Sequence, residues 1–241
     1  MTDPHARLRE LGFSERDARI LADHFRAAEE AGKKGHGLSR VDWLATQEFD
    51  PHAKPERVVA DEGFERWEGR GAVGYLVLAA ICRAQAAHPP KHARVIVAAE
   101  TFPTGMLGYW VRKLADGGLV AALTATSPRR LASPRGGAKL TGTNPLAIAI
   151  PSSDGSPVVA DVSMGKVTYG EVLAGLAHEK DLVPFGGRSA HKAFALAVGL
   201  QLLVDALAGE DFGAVLVVAR PDHDPVPTFR ALAEGVRLPG D

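Results

Sequence analysis

ARVIVAA (93–99), LVAALTA (119–125) and AVLVVA (214–219) are mostly continuous apolar runs, not alternating ones. A strand that is apolar on both sides has to bury both, so the sheet it joins must be covered by helices. That requirement sets the fold class as α/β or mixed α+β, a mixed sheet with covering helices. The segments between the runs supply the covers. GMLGYWVRKLADGG (105–118) reads as a helix, as do Ala72 to about His88 and Ala190 to Ala208. The single cysteine, Cys82, falls inside the second of these and reads as a core residue. LAIAIP and SPVVADV flank SSDG at Ser152–Gly155, a hairpin signal, and RVVADEG and FERWEG read as two short strands. Residues 127–145 read as one long loop rich in glycine and proline.

The N-terminal part is helical. Ser14 to Asp17 resembles a capping box with Asp in the place of Glu or Gln, and Ala18, Leu21, Ala22, Phe25 and Ala28 follow at helical spacing. A second helix carries Leu38, Val41, Trp43 and Leu44. The expected organisation is a helical region over 1–55 and a mixed α/β region over 56–241, together one compact unit. Lys+Arg 28 against Asp+Glu 29 gives no electrostatic case for nucleic acid or an anionic membrane. The start, MTDPHARLRE, is polar, and no run reaches the ~18 uninterrupted apolar residues of a membrane span. The expected compartment is the cytoplasm, with neither nucleic acid nor membrane as partner.

Three patterns could carry chemistry. KKGHGLSRVDWL (33–44) frames His36 with Gly35 and Gly37 and sets Arg40 four residues on. Interior glycines cost a helix roughly 0.5–1 kcal/mol each, so either a helix starts here or something approaches the backbone. On a helix His36 and Arg40 share one face and reach one small molecule. Histidine titrates near neutral pH and suits proton transfer, and arginine's fork suits a carboxylate. On spacing alone the plainer reading is a surface histidine beside a surface arginine. Gly69 to Gly74 spells G-x-G-x-x-G before a helix, with Glu100 after the next strand, which is the dinucleotide-binding pattern. FERWEG is too polar for a central parallel strand, and Glu100 lies beyond the usual ~20-residue spacing, so the plainer reading is a turn that lets a helix pack closely. Asp222-His223-Asp224 reads as a solvated loop, and no metal site is expected.

GTNPLAIAIPSSDGSPVVADVSMGK (142–166) resembles the type-2 malate/L-lactate dehydrogenase family, which includes ureidoglycolate dehydrogenase, 2,3-diketogulonate reductase and Δ1-piperideine-2-carboxylate reductase. The family's S-H-G with an arginine four residues past the histidine appears as Gly35-His36-Gly37 and Arg40. Its P-x-G-G and G-Y-K-G-Y-G-L appear as Pro184 to Gly187 and His191 to Leu196, and its L-P-G-E as Leu238 to Asp241. The resemblance implies a non-Rossmann NAD(P)-binding fold of the L-sulfolactate/malate dehydrogenase type and a homodimer with sites near the subunit interface. It implies hydride transfer between a nicotinamide and a 2-oxo acid, 2-hydroxy acid or cyclic imine. His36 would be the general acid/base and Arg40 the carboxylate clamp. Asp161 would join them, or cap the element that follows it. Cofactor contacts would fall on Asn144, Val159, Ala160, Asp161, Val162, Ser163, His191, Lys192, Gly240 and Asp241. The cofactor would be NAD or NADP, NADPH being slightly favoured, and the arginines at 129, 130 and 135 could meet a 2′-phosphate or be solvated.

The sequence also departs from the family. Gly35 stands where a serine is usual, Phe102 or Pro103 where a strand-end histidine is usual, and Ala193 and Ala195 where glycines are. The segment between Gly165 and Pro184 is short, and the last helices of the family are not represented. Two readings follow: an active reductase with an altered pocket, or a non-catalytic relative that binds a ligand or partner through an eroded site. Flanking glycines are expected to leave clearance for a flat ligand above His36.

Overall fold

The computed structural model describes residues 3–240. Its strands are β1 (Glu56–Ala60), β2 (Phe64–Glu68), β3 (Ala93–Ala99), β4 (Val120–Ala125), β5 (Leu131–Ser133), β6 (Gly136–Thr141), β7 (Leu146–Ile150), β8 (Val158–Val162) and β9 (Ala214–Ala219). Seven of them form one sheet in the order β1-β2-β3-β9-β4-β7-β8, while β5 and β6 pair only with each other. β2 and β3 run parallel, and every other adjacent pair in the large sheet is antiparallel. The sheet is thus mixed, and β9 returns from late in the chain to fill its centre.

The helices are α1 (Pro4–Glu10), α2 (Glu15–Glu30), α3 (Ser39–Leu44), α4 (Gly74–Ala87), α5 (Leu107–Asp116), α6 (Tyr169–Leu173), α7 (Ala190–Ala208) and α8 (Val226–Leu232). On one side of the sheet α5 lies on β4, β7 and β8, α4 packs beside it, and α2 packs on α4. Phe25, Ile81, Trp110 and Leu114 from these helices share one core with Ile96, Leu123 and Leu216 from the sheet. Ser14 caps α2 as expected, its hydroxyl accepting from the Asp17 N–H at 3.1 Å.

α7 lies on the other side, docked by Ala193, Ala197, Gln201, Val204 and Ala208 at helical spacing. It covers only part of that side, where Val204 and Ala208 meet Val97, Ala99 and Val215. Beyond it Phe64, Val95, Val217, Ala122 and Ile148 stand in register across five strands. Four of them, all but Ala122, are exposed, as are Leu196, Leu202, Leu203 and Leu207 on α7 itself. Residues 187–208 are long and apolar enough to cross a membrane by length and composition, although no apolar run of that length is uninterrupted.

Four elements are absent from the sequence expectation: α1, β5, β6 and α6. α1 has one buried residue, Leu8, and so shows no apolar period. β6 is exposed along nearly all its length, so the 127–145 segment hides a hairpin. α6 is only one turn and a half long, although Thr168 and Glu171 form a full capping box around its start.

The dinucleotide reading of Gly69–Gly74 is overturned. β2, α4 and β3 do form a parallel unit, but its turn is filled by protein. A Cβ at Gly69 would collide with the Glu100 carbonyl, and one at Gly74 would lie 2.6 Å from the Pro103 carbonyl. The Glu100 carboxylate takes the Arg70 N–H at 2.9 Å, the donor a pyrophosphate would need. The polarity of FERWEG has its own cause. Glu65 is buried and accepts from Trp67 Nε1 and Gln85 Nε2 at 2.9 Å each, with Arg57 and Arg94 on its other oxygen at 3.2 and 3.3 Å.

Candidate functional site

His36 ends a 3-10 turn, Lys34–His36, and Arg40 sits in α3. Gly37 between them is extended, with φ −87° and ψ −147°, so the two residues do not share one helix face as expected. They meet all the same, on the wall of a cleft of about 840 Å³. The other walls are the 102–107 loop, the ends of β4 and β8, and the 163–176 segment carrying α6.

The glycines around His36 receive protein. A Cβ at Gly35 would lie 2.6 Å from the Glu171 nitrogen and 2.8 Å from the Gly170 carbonyl carbon, and one at Gly37 would meet the Glu29 carboxylate. Glu29 uses that approach to accept from the Leu38 N–H at 3.1 Å. The expected clearance for a ligand therefore does not exist at these positions. Gly35 and Gly170 instead form a seam through which α6 is pressed against the turn that holds His36.

Arg40 is 9% exposed. Its Nε donates to the Gly35 carbonyl at 2.8 Å, and its guanidinium lies 4.9 Å from the centroid of the Trp43 ring. Among the described residues no carboxylate pairs with it, and burial lowers its pKa. A buried cation without a counter-charge is costly to keep and receives an anion readily. His36 is half-buried, and its pKa is pushed down to about 3 by burial first, then by Arg40 and Lys33. It is neutral in the ligand-free protein at neutral pH. Asp161 accepts from the Gly108 N–H at 3.0 Å at the start of α5, so it caps a helix earlier in the chain, not the element that follows it. Burial raises its pKa, and Lys33 and the Gly108 bond oppose the rise.

The sequence profile described as malate/L-lactate dehydrogenase matches residues 5–180. The chain belongs to the malate/L-lactate dehydrogenase family. It is 30% identical over 233 residues to a Δ1-pyrroline-2-carboxylate/Δ1-piperideine-2-carboxylate reductase of Pseudomonas putida, covering 83% of this chain and 67% of that one. It is 31% identical over 242 residues to a (2R)-3-sulfolactate dehydrogenase (NADP(+)) of Chromohalobacter salexigens, covering 86% and 70%. The chain thus spans about two thirds of the length of these curated relatives. A crystal structure of Δ1-piperideine-2-carboxylate reductase from Pseudomonas syringae superposes with a TM-score of 0.81 at 24% identity, covering 99% of this chain and 88% of that one. The non-Rossmann fold expected from the sequence is the fold of these malate/L-lactate dehydrogenase relatives.

Within this member of the malate/L-lactate dehydrogenase family, Asp161, Val162 and Ser163 line the same cleft as His36 and Arg40. The other expected cofactor positions do not line it. Asn144 is fully buried, and its amide donates to the Ala197 carbonyl at 3.1 Å and to Gln201 Oε1 at 3.0 Å, tying the 142–145 loop to α7. Val159 points into the core, and Ala160 lies opposite Ile148 on the sheet side that α7 partly covers. His191 and Lys192 are exposed in the first turn of α7. Gly240 lies along β8, its carbonyl accepting from Arg112 at 2.6 Å. Asp241 lies outside the described residues.

The structure adds residues that the sequence reading did not weigh. Tyr75 lines the cleft from α4. Burial pushes its hydroxyl up to about 12, so it stays a neutral donor. In the sequence it reads as one more core residue of an apolar helix. Behind it His24 is fully buried in an aromatic shell of Phe25, Tyr75, Tyr109 and Trp110. Its Nε2 accepts from the Met106 N–H at 3.1 Å, which fixes the loop forming the cleft's rim.

Both histidines couple stability to pH. His24 is also pushed down to about 3, chiefly by burial and then by the neighbouring His36. In the unfolded chain each titrates near 6.5, so between these values the unfolded state binds more protons. Stability is therefore full above pH ~6.5 and falls as the pH drops towards 3. From pH 7 to pH 5, urea unfolding is expected to show a loss of about 2 kcal/mol from His24 alone. His24→Gln, whose amide oxygen can still accept from Met106, is expected to flatten the profile. A wild-type profile that is level over this range would refute the assignment.

Proposed function

We propose that the chain is an NAD(P)H-dependent oxidoreductase of the cytoplasm that transfers hydride to or from a small 2-oxo or 2-hydroxy acid or a cyclic imino acid. The observation that carries this reading is Arg40, a buried guanidinium with no carboxylate partner among the described residues, opening on the same cleft as His36. Its fork binds the substrate carboxylate and so replaces the missing counter-charge. That binding also cancels the positive field which, after burial, holds His36 neutral, so the imidazole gains proton affinity once substrate is in place. In the reductive direction His36 then hands a proton to the carbonyl oxygen or imine nitrogen. In the oxidative direction the neutral ring takes one from the hydroxyl. Tyr75, a neutral hydroxyl on the same wall, adds a donor to the carboxylate or the reacting oxygen.

The residues present fit a nicotinamide cofactor. The cleft volume lies within the range of small-molecule and cofactor sites, Phe102, Met106 and Val162 offer apolar surface, and Arg130 offers a buried Nε without a partner among the described residues. Asp161, Val162 and Ser163 would hold the cofactor, which when bound supplies or accepts the hydride. Asn144 would act from behind, by fixing the adjacent loop.

The alternative is a binding protein with a silenced site. It draws support from Phe102 and Pro103, an apolar wall where the family resemblance sets a histidine. Titration with NADH and NADPH, followed by turnover on a panel of 2-oxo acids and cyclic imines, separates the two. Failure to bind either cofactor would sink the reductase reading. Binding of a cofactor without turnover of any acid favours the alternative. His36→Ala is expected to abolish turnover with little change in cofactor affinity.

A second copy of the chain is proposed as the partner. The exposed leucines of α7 and the uncovered row of Phe64, Val95, Val217 and Ile148 form an apolar surface of the kind that subunits bury. Sedimentation is expected to give a dimer, and Leu203→Glu with Leu207→Glu a monomer. A wild-type monomer at micromolar concentration would exclude it.

A further inference from the structure

Among the described residues, Arg40 is one of two guanidiniums lining the cleft without an acidic partner. Arg130, which follows β4, also lines it. Its guanidinium carbon lies 3.3 Å from the centroid of the Tyr169 ring, and its Nε is buried with no hydrogen-bond partner among the described residues. The acids that line the cleft, Glu171 and Asp161, are taken. Glu171 is held by Thr168 in the α6 capping box at 2.7 and 2.9 Å, and Asp161 caps α5. A cation stacked on an aromatic face is fixed in the plane of its fork and so prepared to receive an oxyanion. Keeping a buried donor unpaired is unfavourable unless a ligand satisfies it.

We propose that Arg130, positioned by Tyr169, is a second anion-binding residue of the cleft, which takes an anionic oxygen group of the ligand other than the carboxylate held by Arg40. This rests on the oxidoreductase reading for the role of Arg40, and it deepens that reading. The anionic group is either a distal acid on the substrate or the 2′-phosphate of the cofactor. Tyr169 belongs to the short segment between Gly165 and Pro184, so the platform comes from the part of the chain that departs most from the family.

The test is binding, not turnover. Tryptophan fluorescence, with Trp43 in the cleft wall, is titrated with oxamate, 2-oxoglutarate, NADH and NADPH in the wild type and in Arg130→Gln. The expected result is a loss of about tenfold or more for 2-oxoglutarate or for NADPH, with oxamate and NADH changed less than about twofold. A loss confined to 2-oxoglutarate names the distal acid, and one confined to NADPH names the phosphate. Equal losses for all four ligands, or none, overturn the proposal, as does a wild type that binds neither 2-oxoglutarate nor NADPH. Arg130→Met, which keeps a long side chain over the ring without the charge, decides by the same comparison if the glutamine variant does not fold. A wild type that binds 2-oxoglutarate through Arg130 but no nicotinamide would leave this assignment standing while the oxidoreductase reading fails.

Discussion

Replacing Arg40 with methionine is expected to reduce kcat/KM in the proposed reaction by roughly 100-fold or more while raising the melting temperature of the ligand-free protein. The two effects share one cause. In the free protein the guanidinium is buried, bonded to the Gly35 carbonyl and stacked near Trp43, with no carboxylate among the described residues to offset its desolvation. Replacing such a buried ion by an apolar side chain of similar length is commonly neutral or stabilising, here by about 1 kcal/mol after the lost bond to Gly35 is counted. In the complex the same charge meets the substrate carboxylate, and its removal leaves that anion without a partner in a sheltered site. Thermal unfolding and steady-state kinetics on one preparation check both signs. A variant that melts lower and turns over normally would show that Arg40 serves the fold and not the substrate. Arg40→Lys is expected to recover little, because an ammonium cannot reproduce the two-point contact.

The parts of the fold that were legible in the sequence are those whose burial leaves a period. β3, β4 and β9 read as mostly apolar because one side lies under the main core and α7 covers part of the other, and α7 shows in the sequence as a long apolar helix. The β5–β6 hairpin and α6 were not legible, since one is exposed and the other too short to repeat. At the site the motif around His36 and Arg40 was readable, but the helix expected to join them is broken at Gly37. Asn144 illustrates a different limit. Its motif is specific, yet the amide nitrogen is spent on Ala197 and Gln201, and only the fold could show that it faces α7. Arg130 was one of three loop arginines until tertiary packing set it on Tyr169. Such contacts between distant segments have no trace in local spacing.

Gly35→Ser is the substitution that would restore the family's usual residue, and it is expected to damage this protein. Its Cβ would lie 2.6 Å from the Glu171 nitrogen and 2.8 Å from the Gly170 carbonyl carbon, both backbone atoms that cannot rotate aside. The strain falls on a seam already closed from the other side, since a Cβ at Gly170 would meet the Gly35 carbonyl and the Arg40 guanidinium. Relief requires α6 to move off the 3-10 turn. The expected cost is about 1–3 kcal/mol, the range for overpacked interiors. Moving α6 also carries Tyr169 away from the Arg130 stacked on it, so ligand affinity falls beyond what lost stability alone would give. Gly35→Ala separates the two parts of the serine. Equal destabilisation by alanine and serine assigns the effect to the Cβ, whereas a serine variant as stable as the wild type would mean that the seam opens freely. In that case α6 is a movable wall, and the serine hydroxyl could again face the cleft beside His36. The glycine is thus tied to the shortened segment: once α6 packs on the turn, a side chain at position 35 has no room, whatever its hydroxyl could have offered a ligand.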